Sequence, residues 1–243
     1  MFILYKNKGM STRSLTKGKL YRFLDYVLRL VLLNFCVVVP SFIALFIYSL
    51  FSKNTESVWF YLTLVPVILW LFPSIVAVTD VIRQYEDNLT NTIFKDFFKS
   101  LKTHYIKAFV IGIFACCLVL LLYNSFNFFY VNQSKSVGYL LGLLLTISFI
   151  FMAAFLVIHL PLVLVYFSDL KIIQYVKLAM IMAFKDIGRT ILILIAVAII
   201  ITISIVFYYV MLIIGIALAV YVSVKLSFKQ YIKIYRKVEN KND

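Results

Sequence analysis

The chain of 243 residues is 64% hydrophobic and only 14% charged, with a mean hydropathy of +1.01. A soluble domain of this size needs far more polar surface, and uncharged runs such as Thr190–Val224 exceed the roughly 20 apolar residues that cross a bilayer. The runs are continuous rather than alternating over about ten residues, which excludes an outer-membrane barrel. The net charge of +14 would suggest nucleic acid in a soluble protein; in a membrane protein it points to basic segments held on the cytoplasmic side.

The expected fold is therefore all-α, a polytopic helical membrane bundle. Residues 1–26 are polar and basic, without the short apolar core and small-residue cleavage site of a removable signal peptide. Six spans are expected, at Val27–Phe51, Val58–Thr79, Ala108–Tyr130, Tyr139–Phe167, Thr190–Phe207 and Val210–Ser227. They make one membrane domain over 27–227, followed by a basic tail over 228–243. The last two spans are the least marked, since no Pro or Gly separates them. A single helix over Thr190–Ser227, giving five spans, would be about 57 Å long at 1.5 Å per residue. A hairpin turning near Tyr208–Tyr209 fits the hydrocarbon thickness better. The fourth span is long enough to tilt, or to bend at Pro161.

The connecting segments orient the bundle. Lys6, Lys8, Arg13, Lys17, Lys19, Arg22 and Arg29 lie at the start. Arg83, Lys95, Lys99, Lys102 and Lys107 fall between spans two and three, and Lys171, Lys177, Lys185 and Arg189 between four and five. Lys225, Lys229, Lys233, Arg236, Lys237 and Lys241 occupy the end. Only Lys53 and Lys135, one in each remaining loop, fall on the other side. Both termini are expected in the cytoplasm of a multi-pass protein of a bacterial plasma membrane, facing an anionic inner leaflet. Cys36, Cys116 and Cys117 lie in apolar runs at spacings that make neither a disulfide framework nor a zinc site. No metal or cofactor is expected.

Before the third span, "IFKDFFKSLKTHYIKAF" interleaves rings with lysines. On a wheel at 100° per residue, Phe94, Phe97, Phe98, Leu101, Tyr105 and Ala108 share one arc, while Lys95, Lys99 and Lys102 gather on another. This is an interfacial amphipathic helix packed on the bundle, or a docking face for a cytoplasmic partner; nucleic acid fits less well. A second cytoplasmic helix is expected in "LKIIQYVKLAMIMAFKDIGR", with Ile172, Val176, Ala179 and Ala183 on one side.

Ionisable and amide groups at membrane depth are costly enough to count as site candidates. Arg29 can pair with Asp25 one turn before it, or meet Asp80 at the same level. Asn34 and His159 lie at comparable depth, so Arg29, Asn34, Asp80 and His159 form a candidate polar layer. The plainer reading makes Asn34 and His159 interhelical hydrogen-bonding glue. The sequence holds no HExxH, no pair of intramembrane carboxylates, no phosphate-binding glycine loop and no GxSxG, and an enzyme is not expected. "KLAMIMAFKDIG" lacks the glutamate of an ABC-permease coupling helix.

Arg29–Leu30 and Leu33–Asn34 form an RLxxLN pattern, and Phe72, Pro73, Ala77 and Arg83 an FPAxxA-like segment followed by a basic residue. Phe94, Phe97, Lys102 and Gly112 belong to an aromatic-basic helix leading into a span, and Pro161, Lys177 and Ala179 to a later proline-containing span and the segment after it. In this order these segments resemble the YesL family of bacterial membrane proteins, defined by a domain of unknown function. The 37 residues between Asn34 and Phe72 exceed the family's usual spacing. The resemblance implies no established activity, only genomic association with carbohydrate uptake. The expected function is a non-catalytic accessory or regulatory membrane protein that engages a sugar-transport or regulatory membrane protein through Phe94, Lys95, Phe97, Phe98, Lys99, Lys102 and Tyr105. The alternative is a small transporter or channel with a cytoplasm-facing polar cavity.

Overall fold

The computed structural model describes residues 19–51, 58–86, 92–167 and 169–239, with side chains described for 23–42, 70–86, 92–167, 169–228 and 230–232. The chain forms α1 (Lys19–Phe51), α2 (Val58–Glu86), α3 (Ile93–Asn132), α4 (Val137–Tyr166), α5 (Ile172–Lys185), α6 (Ile187–Val206), a single turn α7 (Tyr208–Val210), a π-turn over Met211–Gly215, and α8 (Ile216–Glu239). Among the described residues, five helical segments are long and apolar enough to cross a membrane, in α1, α3, α4, α6 and the stretch Tyr208–Phe228. The polar loop 52–57 falls outside the described residues.

Helix α2, 29 residues long, is the hub of the bundle and touches α1, α3, α4 and α8. Its inward side, Val76, Ala77 and Val78, is fully buried, and so are Ile111 of α3, Leu160 of α4 and Ala217 of α8. In lipid such a core gains little from hydrophobic transfer, so close packing and small residues must hold it. At Gly112 an added Cβ would lie 2.9 Å from Cβ of Phe72, which fixes how nearly α3 approaches α2.

The chain does turn between the last two spans. The break falls at Phe207 (φ −112°, ψ 79°), whose N–H closes α6 on the Ile203 carbonyl. Helix α8 then packs back along α6. Gly215 makes the crossing tight, since a Cβ there would sit 2.7 Å from Ser204 Oγ.

Among the described residues the helices outrun the expected spans chiefly at one end, and by only two residues at the turn between α3 and α4. Helix α1 starts at Lys19, α2 continues to Glu86, α3 begins at Ile93 and α8 runs to Glu239. Tyr26 and Lys225 both hydrogen-bond to Glu86, so the start of α1, the end of α2 and the later part of α8 share this basic end. Helix α3, at 40 residues, is about 60 Å long, twice the roughly 30 Å of hydrocarbon. The aromatic-basic segment is thus no separate helix lying along the leaflet. It is the continuous N-terminal half of α3, because nothing between Phe94 and Ala108 interrupts helical hydrogen bonding.

Helix α5 packs on α4 through Tyr175, Ala179, Met182 and Ala183, all buried. The Ala179/Ala183 pair does allow close approach, whereas Ile172 is exposed rather than on the buried side. Ile173, Ile181 and Phe184 also point outward, as an amphipathic helix at the membrane boundary does.

Candidate functional site

Asn34, fully buried in α1, reaches the π-turn. Its Nδ2 donates to the carbonyls of Met211 (2.9 Å) and Leu212 (2.8 Å). Its Oδ1 accepts from the backbone N–H of Ile216 (3.0 Å) and Ala217 (3.1 Å). The wider π winding takes carbonyls and N–H groups out of the α-helical ladder. One amide, with two donors and an acceptor oxygen, satisfies four such groups at a depth where water cannot. Asn34 is interhelical glue, and all its hydrogen-bonding capacity is used.

Arg29 pairs with Asp25 at 2.9 Å, and its guanidinium lies 4.3 Å over the Tyr85 ring. Tyr85 in turn donates to Asp25 at 3.3 Å. This group sits beside the Tyr26–Glu86–Lys225 contacts at the basic end and does not include Asp80.

Asp80, buried on α2, accepts from Gln84 at 2.8 Å and meets Arg83 at 3.2 Å. Opposite it, His104 of α3 stands 3.8 Å from the carboxylate, in ion-pair range but beyond hydrogen-bond length. Arg83 also donates to the Val165 carbonyl (2.9 Å) and lies 5.3 Å from the Tyr166 ring. The sequence reading missed His104. Its spacing of seven from Phe97, three from Leu101 and four to Ala108 was the available signal, because those residues share one helix face.

His159 of α4 is held from both sides. Tyr231 Oη lies 2.8 Å from Nδ1, and Thr190 Oγ1 lies 3.1 Å from Nε2. Thr190 has a single hydroxyl proton, directed at the Ala183 carbonyl at 2.9 Å with the Asp186 carbonyl at 3.2 Å. Thr190 must therefore accept from His159, which places the ring proton on Nε2 and makes Nδ1 the acceptor from Tyr231. Burial pushes the Tyr231 phenol well above its ordinary pKa, so the phenol keeps the proton that this arrangement requires. The direction is Tyr231 to His159 to Thr190 to the end of α5, and the imidazole is neutral.

The expected polar layer is therefore not one site. Among the described residues no hydrogen bond or ion pair joins any two of Arg29, Asn34, Asp80 and His159. The link between the latter two is aromatic: Arg83 over Tyr166, and Tyr166 packed 5.1 Å from Tyr231. Nor do the described residues hold a group of three His, Cys, Asp or Glu side chains able to bind a metal.

The aromatic-basic half of α3 divides. Phe97 and Ala108 are fully buried, and Leu101, Ser100 and His104 nearly so. Phe94, Phe98 and Tyr105 are 51%, 56% and 37% exposed, and Lys95, Lys99 and Lys102 lie beside them on the outer surface. The inward face is rotated by roughly 60° from the arc drawn on the wheel, toward Ser100 and His104. An outward strip remains in which three rings border three lysines.

No curated protein and no solved structure matches the chain. Residues 30–126, from α1 through most of α3, match a family described as a protein of unknown function, DUF624.

Proposed function

We propose that the chain is a non-catalytic accessory membrane protein that engages a partner through the outward strip of α3. The observation that carries this is the split just described: Phe97 and Leu101 serve the bundle, while Phe94, Phe98 and Tyr105 stay exposed next to Lys95, Lys99 and Lys102. Exposed aromatics with a cationic border, on a helix projecting beyond the hydrocarbon, suit an acidic-rimmed protein surface better than lipid tails.

The resemblance to the YesL family gives the partner its class, a sugar-uptake or regulatory membrane protein of a bacterial plasma membrane. The basic end is cytoplasmic in this reading. Six crossings, with α2 as the sixth, agree with the start of α1 and the later part of α8 lying at the same end. The transporter alternative is weaker, because Asn34 and His159 spend their hydrogen bonds inside the bundle.

The test is pull-down from native membranes in mild detergent. Phe94→Ser and Phe98→Ser, in a protein that still purifies as folded, lose a sugar-uptake partner recovered by wild type. Equal recovery by the variants rejects the strip as the docking surface.

A further inference from the structure

A cavity of about 470 Å³ lies between α2, α4, α6 and α8, within the apolar part of the bundle. Its walls carry three hydroxyls, and each donates to the carbonyl one turn earlier in its own helix: Thr79 to Ile75, Ser204 to Ile200 and Ser223 to Ala219. Spent in this way, they give water no reason to enter, and cavities with apolar linings stay dry. The lining extends along the last span from Met211 to Val224, a rise of about 20 Å at 1.5 Å per residue. All the non-atom space there amounts to about 1230 Å³, whereas 20 Å of a helix about 10 Å in diameter fills roughly 1,600 Å³, so neither another helix nor a second copy's span fits. Scaling from the roughly 150 Å³ cavity that accepts the six carbons of benzene, the space suits a chain of about eighteen carbons. One rim is formed by Ile201, Ile205 and Met211, which are 50%, 71% and 47% exposed. On a membrane-spanning hairpin that exposure is to lipid.

The geometry points to a built-in site for one lipid acyl chain, entering sideways from the bilayer past Ile201, Ile205 and Met211 and lying along α8. The slot needs no headgroup recognition and accepts a chain by length and width. A dry cavity this large, with its rim in liquid hydrocarbon, is filled by the chains that surround it. The occupant supplies packing between α4 and α8 that the side chains leave unmade.

The full-length protein is reconstituted in phosphatidylglycerol vesicles containing a trace of the same lipid with a diazirine on one acyl chain. After photolysis, label is expected on Val157, Pro161 and Ala219 as well as on outward residues such as Leu121 and Leu145. Ala219→Trp and Val197→Trp, filling the slot from α8 and α6 respectively, should each lose the slot label and keep the outward label. Either variant suffices if the other fails to fold. Label confined to the outward residues in wild type overturns the proposal. So do filled variants that retain the wild-type pattern at Val157 and Pro161.

Discussion

The amide of Asn34 in α1 satisfies four backbone groups of the π-turn and the start of α8, with Nδ2 2.8 Å from the Leu212 carbonyl and Oδ1 3.0 Å from the Ile216 N–H. Two helices some 180 residues apart in sequence are thereby fixed in register. The winding defect on one is useful only because the other carries an amide at that height.

Asn34→Leu should therefore cost more than an ordinary membrane hydrogen bond. Each interhelical bond contributes about 0.6 to 1.7 kcal/mol, so four lost together amount to roughly 2–7 kcal/mol. Asn34→Asp, held in the neutral acid form by burial, keeps an acceptor for Ile216 and Ala217 and one hydroxyl donor for Met211 or Leu212, and should fall between Leu and wild type. Thermal unfolding in detergent measures both. A melting temperature for Asn34→Leu equal to wild type would show that the π-turn does not depend on this amide.

The chain through His159 makes a prediction about protons. In ¹⁵N-labelled protein at neutral pH, the His159 ring should show a protonated Nε2 and a bare, hydrogen-bonded Nδ1. Tyr231→Phe removes the donor to Nδ1, and Thr190→Val removes both the acceptor for Nε2 and the cap on the Ala183 carbonyl. Each should destabilise by about 1–3 kcal/mol, the cost of stranding a buried polar group. Because one imidazole joins them, the double variant should cost less than the sum of the singles. Strict additivity would mean that the two hydroxyls do not act through His159.

On α3, neighbouring phenylalanines should behave in opposite ways. Phe97→Ser opens a cavity in the core and buries a hydroxyl, costing about 3–5 kcal/mol or more. Phe98→Ser, on the exposed strip, should stay within about 0.5 kcal/mol of wild type while losing the partner. Unfolding curves and pull-downs on the same preparations separate the two effects. Equal destabilisation of both would place Phe98 inside the bundle.

That contrast also marks how far the sequence alone can be read. Continuous apolar runs and the sorting of basic residues gave the helices and their connections, because the bilayer penalises any alternative. Helix ends were less legible. Lys19, Arg83 and Glu86 are polar yet good helix formers, so the helices continue where hydropathy falls. The height and rotation of each helix against its neighbours were least legible, since both depend on the neighbour it meets. Asn34 and His159 are both buried, yet their partners Ile216 and Tyr231 stand about 22 Å apart along α8, so the two lie at different heights rather than in one layer. His104 was hidden among lysines because only the position of α2 makes it face Asp80.

The direction of the bundle in the membrane remains the broadest prediction. Lys135 follows α3 in a short turn closed by the Lys135 N–H on the Asn132 carbonyl, whereas Lys177 lies on α5 at the basic end. In a background with Cys36, Cys116 and Cys117 replaced by alanine, Lys135→Cys should react with a membrane-impermeant maleimide on intact cells. Lys177→Cys should react only after permeabilisation. Charge sorting supplies the physical reason, since each basic residue near an anionic leaflet contributes on the order of 1 kcal/mol, and all but two of the 24 lysines and arginines belong to segments that the sequence assigns to the cytoplasmic side. Labelling of Lys177→Cys from outside would invert the protein and move the Phe94–Tyr105 strip away from any cytoplasmic partner.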